Sequence, residues 1–334
     1  MSAHTQGASP YELTILQAVP KRYSEPAPLL AKTIHWQSIQ SYDAAYLYNA
    51  RTAAAGSVEE LAQVLRDLTE ERSSCVVRGA LREGVRPTRV ERRCHGEGAA
   101  LVEVPRAWTA LDLDELYAPE ALLDDIHEAA CWVWAQLPAP FAGCAGVLQW
   151  TAGAFVDLFN GMPGPGRTLA VTKSLGLRAR AWFVLDAPVE SAAWRAWARE
   201  QRAAGVKLVD PSLFSAVQPH YTAAPIFHGR APALFDDQRI AVMPGTPLVS
   251  VAGLLAGHKE RVQRQAVQRE VREAQALARR QGGGEDAFDF ECARLALERL
   301  DPDLEYGEWL AVGMAIHSRW PGGDGLGLLS LIHI

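Results

Sequence analysis

The sequence predicts an α+β fold, a sheet covered by helices and followed by a small all-α module. Three observations carry that expectation. Short apolar strands lie between breakers and pair as hairpins as well as through crossovers, instead of alternating regularly with helices. A capped amphipathic helix opens at Ser57, within the strand-rich part. Beyond Gly282-Gly283-Gly284 only helical patterns remain.

The elements follow in chain order. Ser57 and Glu60 form a capping box, and Leu61, Val64, Leu65 and Leu68 repeat at helical spacing behind it. The run 74–79, SCVVRG, reads as a short buried strand ended by Gly79. An arginine-rich loop follows, with Arg78, Arg82, Arg86, Arg89, Arg92 and Arg93 against Glu83 and Glu91. Residues 100–114 read as strand interrupted by Pro105. A helix is expected over 119–137, with Pro119 in its first turn and Leu122, Ile126, Val133 and Leu137 on one face. Residues 143–160 read as a strand–turn unit, and GMPGPGR at 161–167 is a breaker cluster. TLAVTKS and RARAWFVLD, within 168–186, read as two strands of a hairpin. A helix carrying Trp194 and Trp197 then runs to Gly205, and both tryptophans are expected to pack in the core. VKLVD, 206–210, is a short strand; 238–250 is irregular; 257–281 is a polar, arginine-rich connecting helix. Phe288–Leu300 and Gly307–Ser318 are two further helices, with Trp309, Val312 and Ile316 at core spacing.

Composition sets the class. The chain has 334 residues, 49% hydrophobic and 22% charged, with a formal net charge of −6. These values exclude a disordered chain, a collagen and a disulfide miniprotein, and the net charge excludes a polycationic tail while leaving room for a local basic groove. Cys75, Cys94, Cys131, Cys144 and Cys292 are odd in number and scattered, which points to a reducing, cytoplasmic setting. The N-terminus has no signal-peptide pattern and no run of about 18 apolar residues exists, so no membrane partner is expected. Cys75, Cys94 and His95 contain no CxxC pair, and zinc is not expected there.

Three stretches carry residues suited to chemistry. In a strand, Asp112 and Asp114 project to the same side, and two carboxylates so close repel unless a cation lies between them. Taken alone, the pair reads first as a strand end in water. Asp210 ends a short apolar run, or begins a turn with Pro211 and Ser212. Between Asp157 and Asp186 there is no acidic residue, while Arg167, Lys173, Arg178 and Arg180 fall in that window. Arg178, Arg180 and Trp182 share one strand face, and a one-sign window beside a glycine-rich turn suits a polyphosphate. Together, three carboxylates and a basic strand fit two Mg²⁺ or Mn²⁺ ions and a triphosphate, the arrangement for in-line nucleotidyl transfer.

With those motifs in place, the chain resembles the archaeo-eukaryotic primase superfamily, in its phage- and plasmid-encoded primase-polymerase branch. The resemblance rests on Thr109-Ala110-Leu111-Asp112-Leu113-Asp114 for an hhhDhD strand, on Lys173 to Asp186 for the second motif, and on Leu208-Val209-Asp210 for the hD strand end. Cys75-Val76-Val77-Arg78-Gly79, Arg92-Arg93 and Gln218-Pro219-His220-Tyr221 look like flanking blocks of the branch. Residues 306–317 resemble the helical primase C-terminal module, here truncated. Many members carry a histidine in the second motif; this chain has Arg178 and Arg180 nearby, of which Arg180 is favoured.

The resemblance implies an RRM-like antiparallel sheet flanked by helices. It implies a DNA primase-polymerase that makes and extends primers on single-stranded DNA from NTP or dNTP in phage or plasmid replication. Asp112, Asp114 and Asp210 would hold two Mg²⁺ or Mn²⁺ ions; Lys173, Ser174, Arg178, Arg180 and His220 would contact the nucleotide; Arg78, Arg92 and Arg93 would contact DNA. A replicative helicase, in cis or in trans, would be a partner. The expected divisions are an N-terminal extension over 1–29, a catalytic domain over 30–250, a linker helix and glycine-rich break over 251–284, a partial helical module over 285–324 and a tail over 325–334. Leu329 to Ile334 reads like a translated sequencing-library adapter, so the natural chain is expected to continue past Asp324. A metal-dependent nuclease or phosphohydrolase, and a non-catalytic replication-initiation DNA-binding protein, are the competing readings.

Overall fold

Strands formed by apolar residues dominate the first 250 positions. The structure, a computed structural model, describes residues 9–34, 39–117, 119, 122, 125–151, 177–206, 209–228, 238–280, 285–297, 306–320 and 327–328. It divides into two compact units, Met1–Leu255 and Ala256–Ile334. The boundary falls in the first turn of a long helix.

In the first unit the elements run β1 (Glu12–Val19), β2 (Thr33–Ile34), β3 (Ile39–Gln40), β4 (Leu47–Ala54), α1 (Val58–Thr69), β5 (Ser74–Val77), β6 (Ala80–Leu81), β7 (Val90–Glu91) and β8 (Leu101–Val102). They continue with β9 (Arg106–Leu116), α2 (Ile126–Ala135), β10 (Gly146–Trp150), β11 (Leu177–Val189), α3 (Ser191–Ala203), a 3₁₀ turn (Pro211–Phe214), β12 (His220–Tyr221), β13 (Ile226–Phe227) and β14 (Ile240–Met243). Two antiparallel sheets form the body, in the orders β12-β5-β1-β4-β7 and β14-β10-β11-β9. A small sheet, β13-β2-β3, and the β6–β8 hairpin complete it. The fold class is α+β, as the mixture of hairpins and helices predicts.

Two differences from the sequence reading concern strands. β1 is the middle strand of the five-stranded sheet, with Leu13, Ile15, Leu16 and Ala18 buried. The stretch expected as an N-terminal extension therefore holds a core strand. Residues 238–250, expected as irregular, supply β14, which pairs with β10 before Pro244 ends it. Pairing with a completed neighbour fixes so short a strand.

α1 begins as its capping residues require. Ser57 Oγ accepts from the Glu60 amide at 3.1 Å, and Glu60 Oε2 accepts from the Gly56 amide at 2.8 Å. Val58, Leu61, Ala62, Leu65 and Leu68 are its buried face. That face joins Leu13 and Ile15 of β1 to Trp108, Val147, Trp182 and Val184 of the second sheet in one core. The opposite face of the second sheet is covered by α2 and α3. There Phe141 and Phe214 stack on Trp194, Phe183 meets Phe141 at a tilt and Trp197 meets Trp194 edge-on, so both tryptophans of α3 are packing residues. α2 starts later than expected, at Ile126 behind an Asp125 cap. Gly146 lets β10 approach β11: a Cβ there would meet the Trp182 carbonyl oxygen at 2.5 Å.

The second unit has its own small core. α4 (Ala252–Arg280), the helix that crosses the boundary, carries the exposed pairs Arg264–Glu260 and Arg269–Glu273. In α5 (Glu285–Leu297) and α6 (Tyr306–Arg319), Leu297 and Ile316 are buried with Leu328, and Phe290, Val312 and Trp320 pack on them. The Trp309 side chain, Gly282–Gly284 and residues 329–334 lie outside the described residues.

Candidate active site

Strand alternation sorts the side chains of β9 and β11 between the two faces of their sheet. Leu111 and Leu113, with Ala179, Ala181 and Phe183, enter the core under α2 and α3. Trp108 and Ala110, with Trp182 and Val184, enter the core on the α1 side. Asp112 and Arg180 continue this second face past the end of the apolar packing. They are register partners across the two strands. Arg180 Nε donates to Asp112 Oδ1 at 2.5 Å, and its Nη1 donates to the Tyr221 carbonyl at 3.3 Å.

The ladder is interrupted at this point. Ala179 pairs with Leu113 and Leu177 with Leu116, so Asp114 and Glu115 together oppose Arg178. This β-bulge re-aims Asp114 and Arg178 relative to a regular ladder. Burial and the neighbouring Asp112 carboxylate raise the Asp114 carboxyl pKa, while Arg178, Arg180 and Lys32 pull it back. Two like charges are thus held together beside Arg178, Arg180 and Lys32.

A loop from the small sheet supplies two residues that no sequence motif announces. Lys32 precedes β2, and its carbonyl accepts from the Ile226 amide at 2.9 Å. The loop neck is tied by Leu29 and Asp43, amide to carbonyl at 2.9 Å and amide to carboxylate at 2.8 Å. Lys32 Nζ lies 5.5 Å from the Tyr42 ring centre, and Tyr42 stacks on Tyr221 with centroids 3.5 Å apart. Burial, then Arg178, lowers the Lys32 pKa; burial pushes the Tyr42 hydroxyl up to about 12. Arg239 holds the Tyr221 segment, donating to the carbonyls of Thr222 and Ala223 at 2.7 and 2.9 Å. The cluster is therefore Asp112, Asp114, Lys32, Arg178 and Arg180, bordered by a tyrosine pair.

Other residues expected at the site are placed differently. Asp210 caps the 3₁₀ turn: Oδ1 accepts from the Ser212 amide at 2.9 Å and Oδ2 from the Ser212 hydroxyl at 2.7 Å. His220 is 1% exposed, with its ring against Trp108 and Trp182, so it is enclosed behind Arg180 rather than open to a nucleotide. Burial, then Arg180 and Arg78, sets its pKa well below 6.5, leaving the ring neutral. Lys173 and Ser174 lie outside the described residues.

The three arginines expected on DNA separate as well. Arg78, 1% exposed, stacks on Trp108 and donates to the carbonyls of Trp108 and Val189 at 2.8 and 3.3 Å. Arg106 lies beside it, donating Nε to the Arg78 carbonyl at 2.8 Å. Arg92 donates to the Val217 carbonyl and faces the Tyr48 ring. Arg78 and Arg92 thus brace the fold. Arg93 is exposed, paired with Glu91 at 3.1 Å.

The donor chemistry of Asp112 and Asp114 fits a hard divalent cation, because both offer carboxylate oxygens and their mutual repulsion would be relieved by one. Among the described residues, no group of three His, Cys, Asp or Glu side chains is gathered for a metal ion. The fit is to the pair, with Asp210 engaged by Ser212.

No protein-family model matches the chain, and no curated protein matches it. Among solved structures, the polymerase domain of Mycobacterium tuberculosis ligase D in complex with DNA is similar at 15% identity, over 75% of this chain and 82% of that one, with a TM-score of 0.23. No helix among the described residues is long and apolar enough to cross a membrane.

Proposed function

We propose that the chain is a metal-dependent nucleotidyl transferase of the primase-polymerase type, which synthesises primers on single-stranded DNA from nucleoside triphosphates. The observation that carries this reading is the Asp112–Asp114 pair on β9, with Arg180 of β11 in register with Asp112 and Arg178 opposite Asp114 at the bulge. Carboxylates beside cations suit a substrate that is itself polyanionic and arrives with Mg²⁺ or Mn²⁺. Motif order along the chain supports the same reading. On it, the sheet β14-β10-β11-β9 with α2 and α3 on one face is the RRM-like half of the domain.

In the proposed reaction the primer 3′-oxygen bonds to the α-phosphorus of the incoming nucleotide. The bond from that phosphorus to the bridging oxygen breaks, and pyrophosphate leaves. Bound divalent cations supply acidification of the 3′-hydroxyl and charge neutralisation of the leaving group. Asp112 and Asp114 hold them, Arg180 fixes the Asp112 carboxylate, and Arg178 faces the phosphates, with Lys173 and Ser174 assigned to the same segment. The 3₁₀ turn capped by Asp210 packs beside β9, and Asp210 completes the set when its carboxylate leaves Ser212. Among the arginines expected on DNA, Arg93 is the exposed one and is kept as the template contact.

A metal titration tests the reading. The protein, single-stranded DNA and nucleotides are combined with Mg²⁺, with Mn²⁺, or with a chelator. Labelled product longer than one nucleotide is expected with either ion and none with the chelator. Cleavage of the DNA without nucleotides, and no incorporation with them, would replace this function by a nuclease.

A further inference from the structure

Among the described residues, two of the cations around Asp112 and Asp114, Lys32 and Arg178, have no carboxylate partner. Arg180 is engaged, by Asp112 and by the Tyr221 carbonyl. Lys32 forms no ion pair among the described residues, although it lies close enough to Asp114 and Asp112 to feel both charges. Arg178 has its Nε buried with no hydrogen-bond partner among the described residues. A buried guanidinium nitrogen left unpartnered is costly unless a ligand supplies the acceptor.

The fold holds Lys32 in place from two sides. Its carbonyl is tied to β13, and its ammonium sits over Tyr42, which rests on Tyr221. A lysine on an aromatic face keeps its charge while losing freedom, and the stack leaves the ammonium nitrogen to face an anion. We infer that Lys32 is a phosphate-binding residue, and that Lys32 and Arg178 form a two-armed clamp on the terminal phosphates of the incoming nucleotide while Arg180 braces Asp112. The inference rests on the proposed function and deepens it. Arg178 supplies a planar fork for two phosphate oxygens, and Lys32 a compact point charge.

Binding of inorganic tripolyphosphate with Mg²⁺, measured by calorimetry on the full chain, tests the clamp apart from polymerisation. Lys32→Gln is expected to weaken tripolyphosphate binding by about tenfold to a hundredfold, the range for one charge-assisted hydrogen bond. The nucleotide KM rises by the same factor. Lys32→Arg recovers most of the binding, and affinity for a single-stranded oligodeoxynucleotide is unchanged. Equal tripolyphosphate affinity in wild type and Lys32→Gln overturns the clamp, as does a loss confined to the oligodeoxynucleotide, which would make Lys32 a template contact.

A second measurement needs no variant. In wild-type protein, tripolyphosphate is expected to protect Lys32 from amine acetylation, read by mass spectrometry; equal labelling with and without it overturns the clamp. Lys32-dependent tripolyphosphate binding by a protein that makes no primer would overturn the proposed function and leave the clamp standing. Primer synthesis with an unaltered KM in Lys32→Gln would overturn the clamp alone.

Discussion

Asp112 and Arg180 meet because a period-2 ladder puts register partners on the same face, and Asp112-Leu113-Asp114 states that period in the sequence. Arg180 is legible for the same reason, two positions before Trp182 in a window without acids. Lys32 and Tyr42 are not legible. They reach the site from a loop far away in sequence, and no local spacing records that contact. Asp210 is ambiguous by chemistry: an Asp before Pro-Ser is both a strand-end carboxylate and a turn cap. The ambiguity can be tested. Asn caps as well as Asp but is a poor hard-cation ligand. Asp210→Asn is therefore expected to keep the melting temperature and lose primer synthesis, and Asp210→Ala to lose both; an active Asp210→Asn protein would make the residue a cap only. His220 gives a second prediction at this scale. Its folded pKa lies well below 6.5, so below about pH 6.5 the unfolded chain binds a proton that the native ring refuses. Its contribution is fully present above that pH and is lost as pH falls, at up to ~1.4 kcal/mol per pH unit. Melting temperatures measured from pH 7 to pH 5 should fall more steeply for wild type than for His220→Gln.

At the scale of elements, the bulge between β9 and β11 is what a pattern of alternating residues does not reveal. It sets Asp114 and Glu115 against Arg178 and so turns a strand pair into a cluster. β1 was hidden for a different reason. Glu12–Val19 is buried continuously from Leu13 to Leu16, so it lacks the alternation that marks a half-exposed strand. Arg78 looks like one member of a basic loop, yet its guanidinium ties β9 to the end of β11 through the Trp108 and Val189 carbonyls. Removing it strands those acceptors in the core, at about 1–3 kcal/mol for each orphaned group. Arg78→Ala is expected to lower stability to denaturant, with no selective loss of DNA affinity in the protein that remains folded. Unchanged stability with weakened DNA binding would return Arg78 to the nucleic-acid surface.

At the scale of the molecule, two antiparallel sheets share a core with α1, and the carboxylate–cation cluster stands where that core ends. The net charge of −6 gives no hint of this, because charge is sorted locally. The central claim is that Asp112 and Asp114 carry nucleotidyl transfer. Its most direct measurement is primer yield on single-stranded DNA with Mn²⁺, comparing wild type with Asp112→Asn/Asp114→Asn at matched folding. On that claim the two carboxylates hold the divalent cations, and removing them forfeits several kcal/mol of transition-state stabilisation, so a loss of at least ~10²-fold is expected. Equal primer yield from the two proteins would contradict the account.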